Sequence, residues 1–158
     1  MRVLAALLLC AFLAVECEAQ IAVEVSYGVD RNVDSSEARR DGWLNGTVEW
    51  MLPSGLGIGI GTDHQFSGVA PAPSDFRGWA LYASTSFEMP DRKVSPFVRG
   101  GIGAGRAPCQ GDTCTDGLYL RASTGLRVRV AERLRLSTEI GVSRVSRPFG
   151  GVGLSFRF

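Results

Sequence analysis

From residue 21 onward, apolar residues alternate with small or polar residues at a period of two. This period places successive side chains on opposite faces of a β-strand, so it predicts strands with one apolar and one polar face. Glycine, proline and polar clusters divide the pattern into eight segments. The predicted strands cover residues 21–29, 42–52, 56–61, 79–87, 98–105, 118–130, 134–142 and 149–158.

The last segment, residues 149–158, carries Phe156 and Phe158 on its apolar face and Arg157 on the opposite face. A strand at the end of a sheet leaves an open edge unless it finds a partner, and pairing with the first strand would close a barrel. The sequence therefore predicts an all-β fold. We expect residues 20–158 to form a closed, eight-stranded, antiparallel, up-and-down transmembrane β-barrel.

The connections between the predicted strands alternate between long and short. The long connections cover residues 30–41, 62–77, 107–116 and 143–148, and the short ones cover 53–55, 90–95 and 131–132. Long loops at one rim and short turns at the other are typical of transmembrane barrels. Most segments are also about as long as a tilted strand must be to cross the hydrocarbon layer.

Charges of both signs lie on the polar face of the predicted strands. They are Glu24, Glu49, Glu88, Glu139, Arg99, Arg121, Arg127, Arg129, Arg135 and Arg157. An arginine that faces lipid at mid-depth costs roughly 2–4 kcal/mol, whereas charges inside a narrow barrel can pair. We therefore expect a charge network that fills the lumen, with glycines making room for the arginines, and an outward apolar face. A proton or ion path is the alternative interpretation of these groups.

Aromatic residues of the apolar face form two predicted girdles. Trp50, Phe87, Phe156 and Phe158 lie near the short turns, and Tyr27 and Trp79 lie near the long loops. Aromatic rings of this kind are enriched at membrane–water interfaces. Their placement supports the prediction that the outside of the barrel contacts lipid.

The N-terminal residues have the features of a secretory signal peptide. Residues 3–15 are apolar and follow Arg2, and small residues lie near position 19. We expect residues 1–19 to be cleaved during export. Cys109 and Cys114 would then be the remaining cysteines, and their close spacing in an exported protein predicts a disulfide within a loop.

Residues 97–105, 122–142 and 151–158 resemble the small eight-stranded outer-membrane β-barrels of Gram-negative bacteria, the OmpA-type transmembrane domain and its relatives. Gly153, Phe156 and Phe158 match the C-terminal assembly signal of that family, which the barrel-assembly machinery reads. The resemblance implies a structural or surface-interaction protein of the outer membrane, surrounded by lipid and lipopolysaccharide. It implies no catalytic residue and no cofactor. Full-length OmpA-type proteins carry a peptidoglycan-binding domain after the barrel, and we expect none here because the sequence stops at Phe158.

Two further classes of function remain open. Outer-membrane lipid A deacylases and palmitoyltransferases have barrels of this size and use a histidine with a serine; the candidates here are His64 and Ser67, with Asp63 as the group that orients the histidine. A soluble carrier of lipocalin type would instead turn its apolar face inward around a ligand. The arginine-rich opposite face argues against such a carrier.

Arginines are also concentrated at or near the predicted long-loop rim. They are Arg31, Arg39, Arg40, Arg77, Arg106, Arg144 and Arg147. Guanidinium groups suit phosphate, so contact with lipopolysaccharide phosphates is one hypothesis and solvated surface arginine is the other. The formal net charge of +1 gives no indication of nucleic-acid binding. With one histidine in the chain, a site built from several histidines is excluded.

Overall fold

The computed structural model describes residues 19–31, 40–67, 75–90, 92–106, 116–143 and 147–158. Within these ranges lie eight strands: β1 (Gln20–Arg31), β2 (Arg40–Met51), β3 (Leu56–Ser67), β4 (Asp75–Glu88), β5 (Val94–Arg106), β6 (Asp116–Arg129), β7 (Leu134–Ser143) and β8 (Arg147–Arg157). Neighbouring strands pair in chain order and β8 pairs with β1, so the sheet closes into an antiparallel barrel. The predicted fold class is confirmed.

The first and last strands close the barrel in the register that their alternation requires. Val25 lies opposite Leu154 and Tyr27 lies opposite Val152, so apolar residues of both strands share the outer face. The pairing continues past the end of β8, where the Phe158 amide donates to the Ile21 carbonyl at 2.9 Å. The open edge of the C-terminal segment is therefore satisfied within the chain.

The two ends of the barrel are named here by their connections. The short-turn end carries residues 52–55, 89–93 and 130–133, and the long-loop end carries residues 32–39, 68–74, 107–115 and 144–146. Gly55, at the short-turn end, has a φ of 86°, a backbone conformation that favours glycine. A Cβ at this position would lie 1.9 Å from the Glu88 carbonyl oxygen, so the β2–β3 turn packs directly against β4.

The outside of the barrel is apolar and the inside is polar. Ile60, Leu118 and Ile140 are 61%, 64% and 66% exposed on the outer face. Glu24 and Arg99, on the inner face, are buried. This arrangement is the reverse of the inward apolar face that a lipocalin-type carrier requires.

Outward aromatic residues lie near both ends of this apolar belt. Trp50, Phe87 and Phe156 are outward and exposed toward the short-turn end, as is Phe158 just after β8. At the long-loop end, Trp79 is also exposed. The outer surface thus has aromatic borders above and below its aliphatic middle.

Several strands extend further than the sequence pattern predicts. β3 continues to Ser67 and β4 begins at Asp75, so much of the predicted 62–77 loop is paired strand. The periodicity fails there because Asp63 and His64 are both polar, which hides the alternation of faces while the backbone ladder continues. The β7–β8 connection is reduced to residues 144–146, so the predicted alternation of long and short connections does not hold at that position.

Some predictions fall on residues outside the described ranges. Residues 1–18, and with them nearly all of the expected signal peptide, are outside, as are Cys109 and Cys114. Cleavage and the loop disulfide therefore remain predictions. In the part of the chain that the structure describes, no helix is long and apolar enough to span a membrane.

Candidate functional site

The lumen contains a network of ion pairs to which every strand contributes. The residues are Glu24 on β1, Glu49 on β2, Asp63 on β3, Glu88 on β4, Arg99 on β5, Arg121 and Arg127 on β6, Arg135 and Glu139 on β7, and Arg157 on β8. They meet because inward residues alternate along each strand and eight strands enclose a lumen that side chains can fill. The network therefore joins all eight strands across the barrel interior.

Arg99 is the centre of the network. Its guanidinium lies 2.7 Å from Glu24, 3.3 Å from Glu49 and 3.4 Å from Glu139, counted from nitrogen to carboxylate oxygen. The side chain has no exposed surface. One buried cation thus compensates carboxylates from three different strands, β1, β2 and β7.

Serine hydroxyls complete the coordination of two of these carboxylates. Ser84 and Ser86 donate to Glu49 at 3.1 and 2.9 Å. Ser137 donates to Glu24 at 2.9 Å. Since a buried carboxylate needs acceptor sites filled as well as an opposite charge, these short polar side chains stabilise the ionised forms.

At the long-loop end, Arg121 connects two carboxylates. Its Nη1 donates to Asp63 at 3.1 Å and its Nη2 donates to Glu139. The Tyr119 hydroxyl also donates to Asp63. Asp63 therefore belongs to the lumen network, whereas the sequence analysis placed it in a loop beside His64.

Aromatic rings close the lumen around Arg121. Its guanidinium carbon lies 4.9 Å from the Trp43 ring centroid and 4.2 Å from that of Phe149, distances at which cation–π attraction operates. The rings of Tyr82 and Tyr119 lie side by side with centroids 5.3 Å apart. A small cavity lined by Asp63, Ala80 and Tyr119 measures about 10 Å³, which is about the space of one water molecule.

Inward glycines accommodate these aromatic rings. A Cβ on Gly61 would lie 2.4 Å from the Tyr82 ring, and one on Gly101 would lie 2.6 Å from the same ring. On the other side of the barrel, a Cβ on Gly151 would lie 2.7 Å from the Trp43 ring. The expectation that inward glycines make room for arginines does not hold at these positions, because the nearest side chains are aromatic.

At the short-turn end, several arginines share one carboxylate. Glu88 accepts from Arg127 at 2.7 Å, from Arg157 at 2.5 Å and from Arg135. Below this cluster lies a cavity of about 380 Å³, which Arg129 also lines. Arg129 makes no ion pair with any residue in the described ranges, although it lies on the same inward face of β6 as Arg127.

The Asp63–His64 pair of the candidate catalytic group does not form. Asp63 points into the lumen and is 4% exposed, whereas His64 follows it on β3 and lies on the outer face opposite Leu44 and Trp79. The His64 Nε2 atom lies 3.1 Å from the Thr62 hydroxyl. Asp63 therefore does not orient His64, and the side chain of Ser67 is outside the described part of the structure.

The residues of the predicted assembly signal have separate surroundings. Gly153 faces inward, where a Cβ would lie 2.5 Å from the Ser26 hydroxyl and 2.7 Å from the Ser137 hydroxyl. Phe156 and Phe158 face outward and are 46% and 70% exposed. A larger residue at position 153 would therefore clash with these serines. The two phenylalanines, by contrast, leave their apolar rings exposed on the outer face.

Of the predicted rim arginines, Arg106 is the one whose side chain the structure describes. Its Nε donates to the Asp116 carboxylate at 2.8 Å on the exposed surface. The side chains of Arg31, Arg39, Arg40, Arg77, Arg144 and Arg147 are outside the described residues. Within the described ranges, no three histidine, cysteine or acidic residues are grouped so that they could hold a metal ion.

Sequence reasoning missed five lumen residues that carry much of this geometry: Trp43, Asp63, Phe97, Tyr119 and Phe149. Parity along each strand could have identified Asp63, which continues the inward series of Gly57, Gly59 and Gly61. Residue type alone would place Trp43 and Phe149 on the outer face of the barrel, because large apolar rings are expected to face lipid. Their inward positions are explained by Arg121, whose guanidinium contacts both rings.

No protein-family model matches the sequence, and comparison with curated proteins gives no match either. Solved structures do match. Neisserial surface protein A is 14% identical, with 88% of this chain and 97% of that chain covered and a TM-score of 0.66. Ail of Yersinia pestis is 16% identical, with 89% of this chain and 99% of that chain covered and a TM-score of 0.61. The N-terminal β-barrel domain of Pseudomonas aeruginosa OprF is 13% identical, with 89% of this chain and 100% of that chain covered and a TM-score of 0.60. The chain thus has the fold of the small eight-stranded outer-membrane β-barrels.

Proposed function

We propose that this protein is an integral outer-membrane β-barrel of a Gram-negative bacterium, with a structural or surface-interaction role and no catalytic activity. One observation carries the proposal: a closed barrel whose outward face is a belt of exposed aliphatic residues bordered by aromatic rings. A water-soluble protein rarely exposes so large a contiguous apolar surface. Lipid is the environment that such a belt fits.

The lumen supports a role that does not depend on transport. Ion pairs fill its centre, and the aromatic rings of Trp43, Tyr82, Tyr119 and Phe149 close its long-loop end. In the described part of the lumen these side chains occupy the middle of the barrel, which favours a structural role over a transport role. The separation of Asp63 and His64 onto opposite faces likewise disfavours the lipid A-modifying enzyme.

Membrane fractionation combined with gel mobility tests the proposed location and fold together. We expect the protein in the outer-membrane fraction, with a shift in mobility between boiled and unboiled samples because a closed barrel resists detergent. Arg106→Ala is a suitable control, since it changes an exposed pair and should leave the shift intact. Recovery of the wild-type protein in the soluble fraction without detergent would refute the proposal.

The C-terminal phenylalanines support a contact with the barrel-assembly machinery during insertion. The Phe158 side chain is 70% exposed, so Phe158→Ala should lower the amount of protein assembled in the outer membrane more than the unfolding stability of the refolded barrel. Phe87→Ala is the matched control, because Phe87 is outward at the same end but lies within β4. Equal outer-membrane levels of Phe158→Ala and wild type would contradict this role.

Phosphate groups of lipopolysaccharide are the proposed partners of the long-loop rim. The density of arginines there supports the proposal, because guanidinium groups bind phosphate in a bidentate manner. One Ail structure holds the heparin analogue sucrose octasulfate, so a barrel of this size can present a site for polyanions. Substitution of Arg39 and Arg40 by serine should reduce the lipopolysaccharide that co-purifies; an unchanged amount would count against the contact.

A further inference from the structure

The cavity at the short-turn end differs from the rest of the lumen in its balance of charge. Its walls include Arg129, Arg135 and Arg157 as cations and Glu88 and Glu132 as anions. Glu132 is exposed in the turn between β6 and β7, so Glu88 is the buried anion of this set. We call this space the vestibule, and its volume of about 380 Å³ is at the lower end of the roughly 300–1,000 Å³ of ligand pockets.

The buried anion of the vestibule is already fully engaged. Glu88 pairs with Arg135 and Arg157 and with Arg127, which lies deeper in the lumen. Each of its two oxygens is approached by at least one guanidinium. Glu88 therefore has little capacity left to compensate a further cation.

Arg129 is the cation without a counter-charge. Its Nε is buried and has no hydrogen-bond acceptor, and none of the ion pairs among the described residues includes it. The Nε of Arg157 is also buried without an acceptor, as are the Nε atoms of Arg99, Arg121 and Arg127 deeper in the lumen. What distinguishes Arg129 is that it lines the open vestibule and has no ion pair within the described ranges, so a bound anion could reach it and satisfy its donors.

We propose that the vestibule binds a small oxyanion of the phosphate class. A phosphate dianion matches the site in three respects: it carries more than one negative charge, it offers several acceptor oxygens to the forked guanidinium donors, and it fits a small cavity open to water at one end. The site lies at the opposite end of the barrel from the rim arginines and is independent of any lipopolysaccharide contact there. Its ligand is free phosphate or a phosphate monoester on a larger molecule.

The test is a titration of the refolded mature barrel in a phosphate-free maltoside detergent, followed by ¹⁵N NMR of the arginine Nε–H groups. Inorganic phosphate is the first probe, with chloride added to hold ionic strength constant. We expect saturable shifts of the Arg129 and Arg157 signals, with little change at Arg99 in the lumen centre. Glycerol 1-phosphate as a second probe distinguishes the sources, because binding equal to that of phosphate indicates a monoester and weaker binding indicates the free ion.

Two variants distinguish the vestibule from general attraction to positive charge. Arg129→Gln should weaken phosphate binding about tenfold or more, since it removes a charge-assisted hydrogen-bond donor. Arg133→Gln, which removes an exposed arginine at the same end outside the vestibule, should change binding less than about twofold. Glu132→Gln removes the competing anion of the vestibule wall and should tighten binding.

Three results would overturn the proposal. The first is the absence of a saturable shift at Arg129 and Arg157. The second is equal weakening by Arg129→Gln and Arg133→Gln, which would indicate non-specific attraction. The third is binding of acetate as tight as that of phosphate. If Arg129→Gln does not refold, the Glu132→Gln measurement decides, because unchanged or weaker phosphate binding in that variant would also contradict the proposal.

Discussion

Both ends of the lumen contain arginines and carboxylates, but the two ends differ in how these charges are balanced and in how the space around them is filled. At the long-loop end, Arg121 has two carboxylate partners and contacts the rings of Trp43 and Phe149, and the cavity beside Asp63 and Tyr119 measures about 10 Å³. At the short-turn end, three guanidiniums share Glu88 and about 380 Å³ remains. One end is compensated and closed, whereas the other has excess positive charge and is open.

The difference shows that charge alone does not fill a narrow barrel. At the long-loop end the rings of Tyr82 and Trp43 pack against inward glycines, and Trp43 also provides a surface for the Arg121 guanidinium. The vestibule is lined by arginines and turn residues such as Pro53 and Pro90, which leave space between them. In this barrel the lumen is filled where aromatic rings and paired charges lie together, as they do around Arg121.

The largest expected effect is the loss of Arg99, which lies between the two ends. Arg99→Ala leaves Glu24, Glu49 and Glu139 without their common cation, and breaking a buried pair in this way costs about 3–5 kcal/mol. Urea unfolding of the refolded barrel in lipid vesicles measures the change. Arg106→Ala removes an exposed pair and serves as the control. A cost for Arg99→Ala no greater than that of the control would show that the network does not hold the strands together.

An intermediate effect is expected from filling the space beneath a ring at the long-loop end. Gly61→Ala places a Cβ 2.4 Å from the Tyr82 ring, whose hydroxyl Asn45 holds at 2.5 Å, so the ring must shift. Overpacking of this kind costs roughly 1–3 kcal/mol in the free energy of unfolding. Gly100→Ala is the control, because Gly100 faces outward and its nearest neighbour is 4.0 Å from the added Cβ.

A double-mutant cycle tests whether Tyr82 is the cause of that cost. In the Tyr82→Ala background, Gly61→Ala should be less destabilising than in wild type, since the ring that it clashes with is gone. Additive effects of the two substitutions would instead place the strain in the backbone. In that case the small size of Gly61 would not be explained by the space that the Tyr82 ring needs.

The sequence predicts the barrel well because alternation along eight strands is a global and repeated signal. It places Glu24, Glu49 and Arg99 inward by parity alone, and the structure shows Arg99 paired with both glutamates although β5 is far from β1 and β2 in the chain. Pairwise contacts depend on strand stagger around the barrel, which the alternation does not contain. The sequence therefore indicates which residues enter the lumen, but not that Arg99 pairs with three carboxylates while Arg129 pairs with none of those in the described ranges.

The extent of β3 and β4 was less predictable for a related reason. Beyond the apolar belt both strand faces become polar, so the pattern ends while the hydrogen-bonded ladder continues to Ser67 and Asp75. The sequence suggests His64 and Asp63 as parts of one candidate catalytic site because the two residues are adjacent in the chain. Adjacent residues of a strand point to opposite faces, and recognition of that segment as a strand would have separated them.

The smallest expected effect is that of Arg129→Met at the short-turn end, where Arg127 and Arg129 lie two residues apart on the same face of β6 and provide a matched pair. Arg127 bridges Glu24 and Glu88 and lies 4.4 Å from the Phe97 ring centroid, so Arg127→Met should cost about 3–5 kcal/mol. Arg129→Met removes no ion pair in the described ranges, and we expect a change within about 0.5 kcal/mol. Urea unfolding of both variants in phosphate-free buffer measures the difference. Equal destabilisation by the two substitutions would mean that Arg129 is compensated after all, and the contrast between a balanced and an unbalanced end of the lumen would fail.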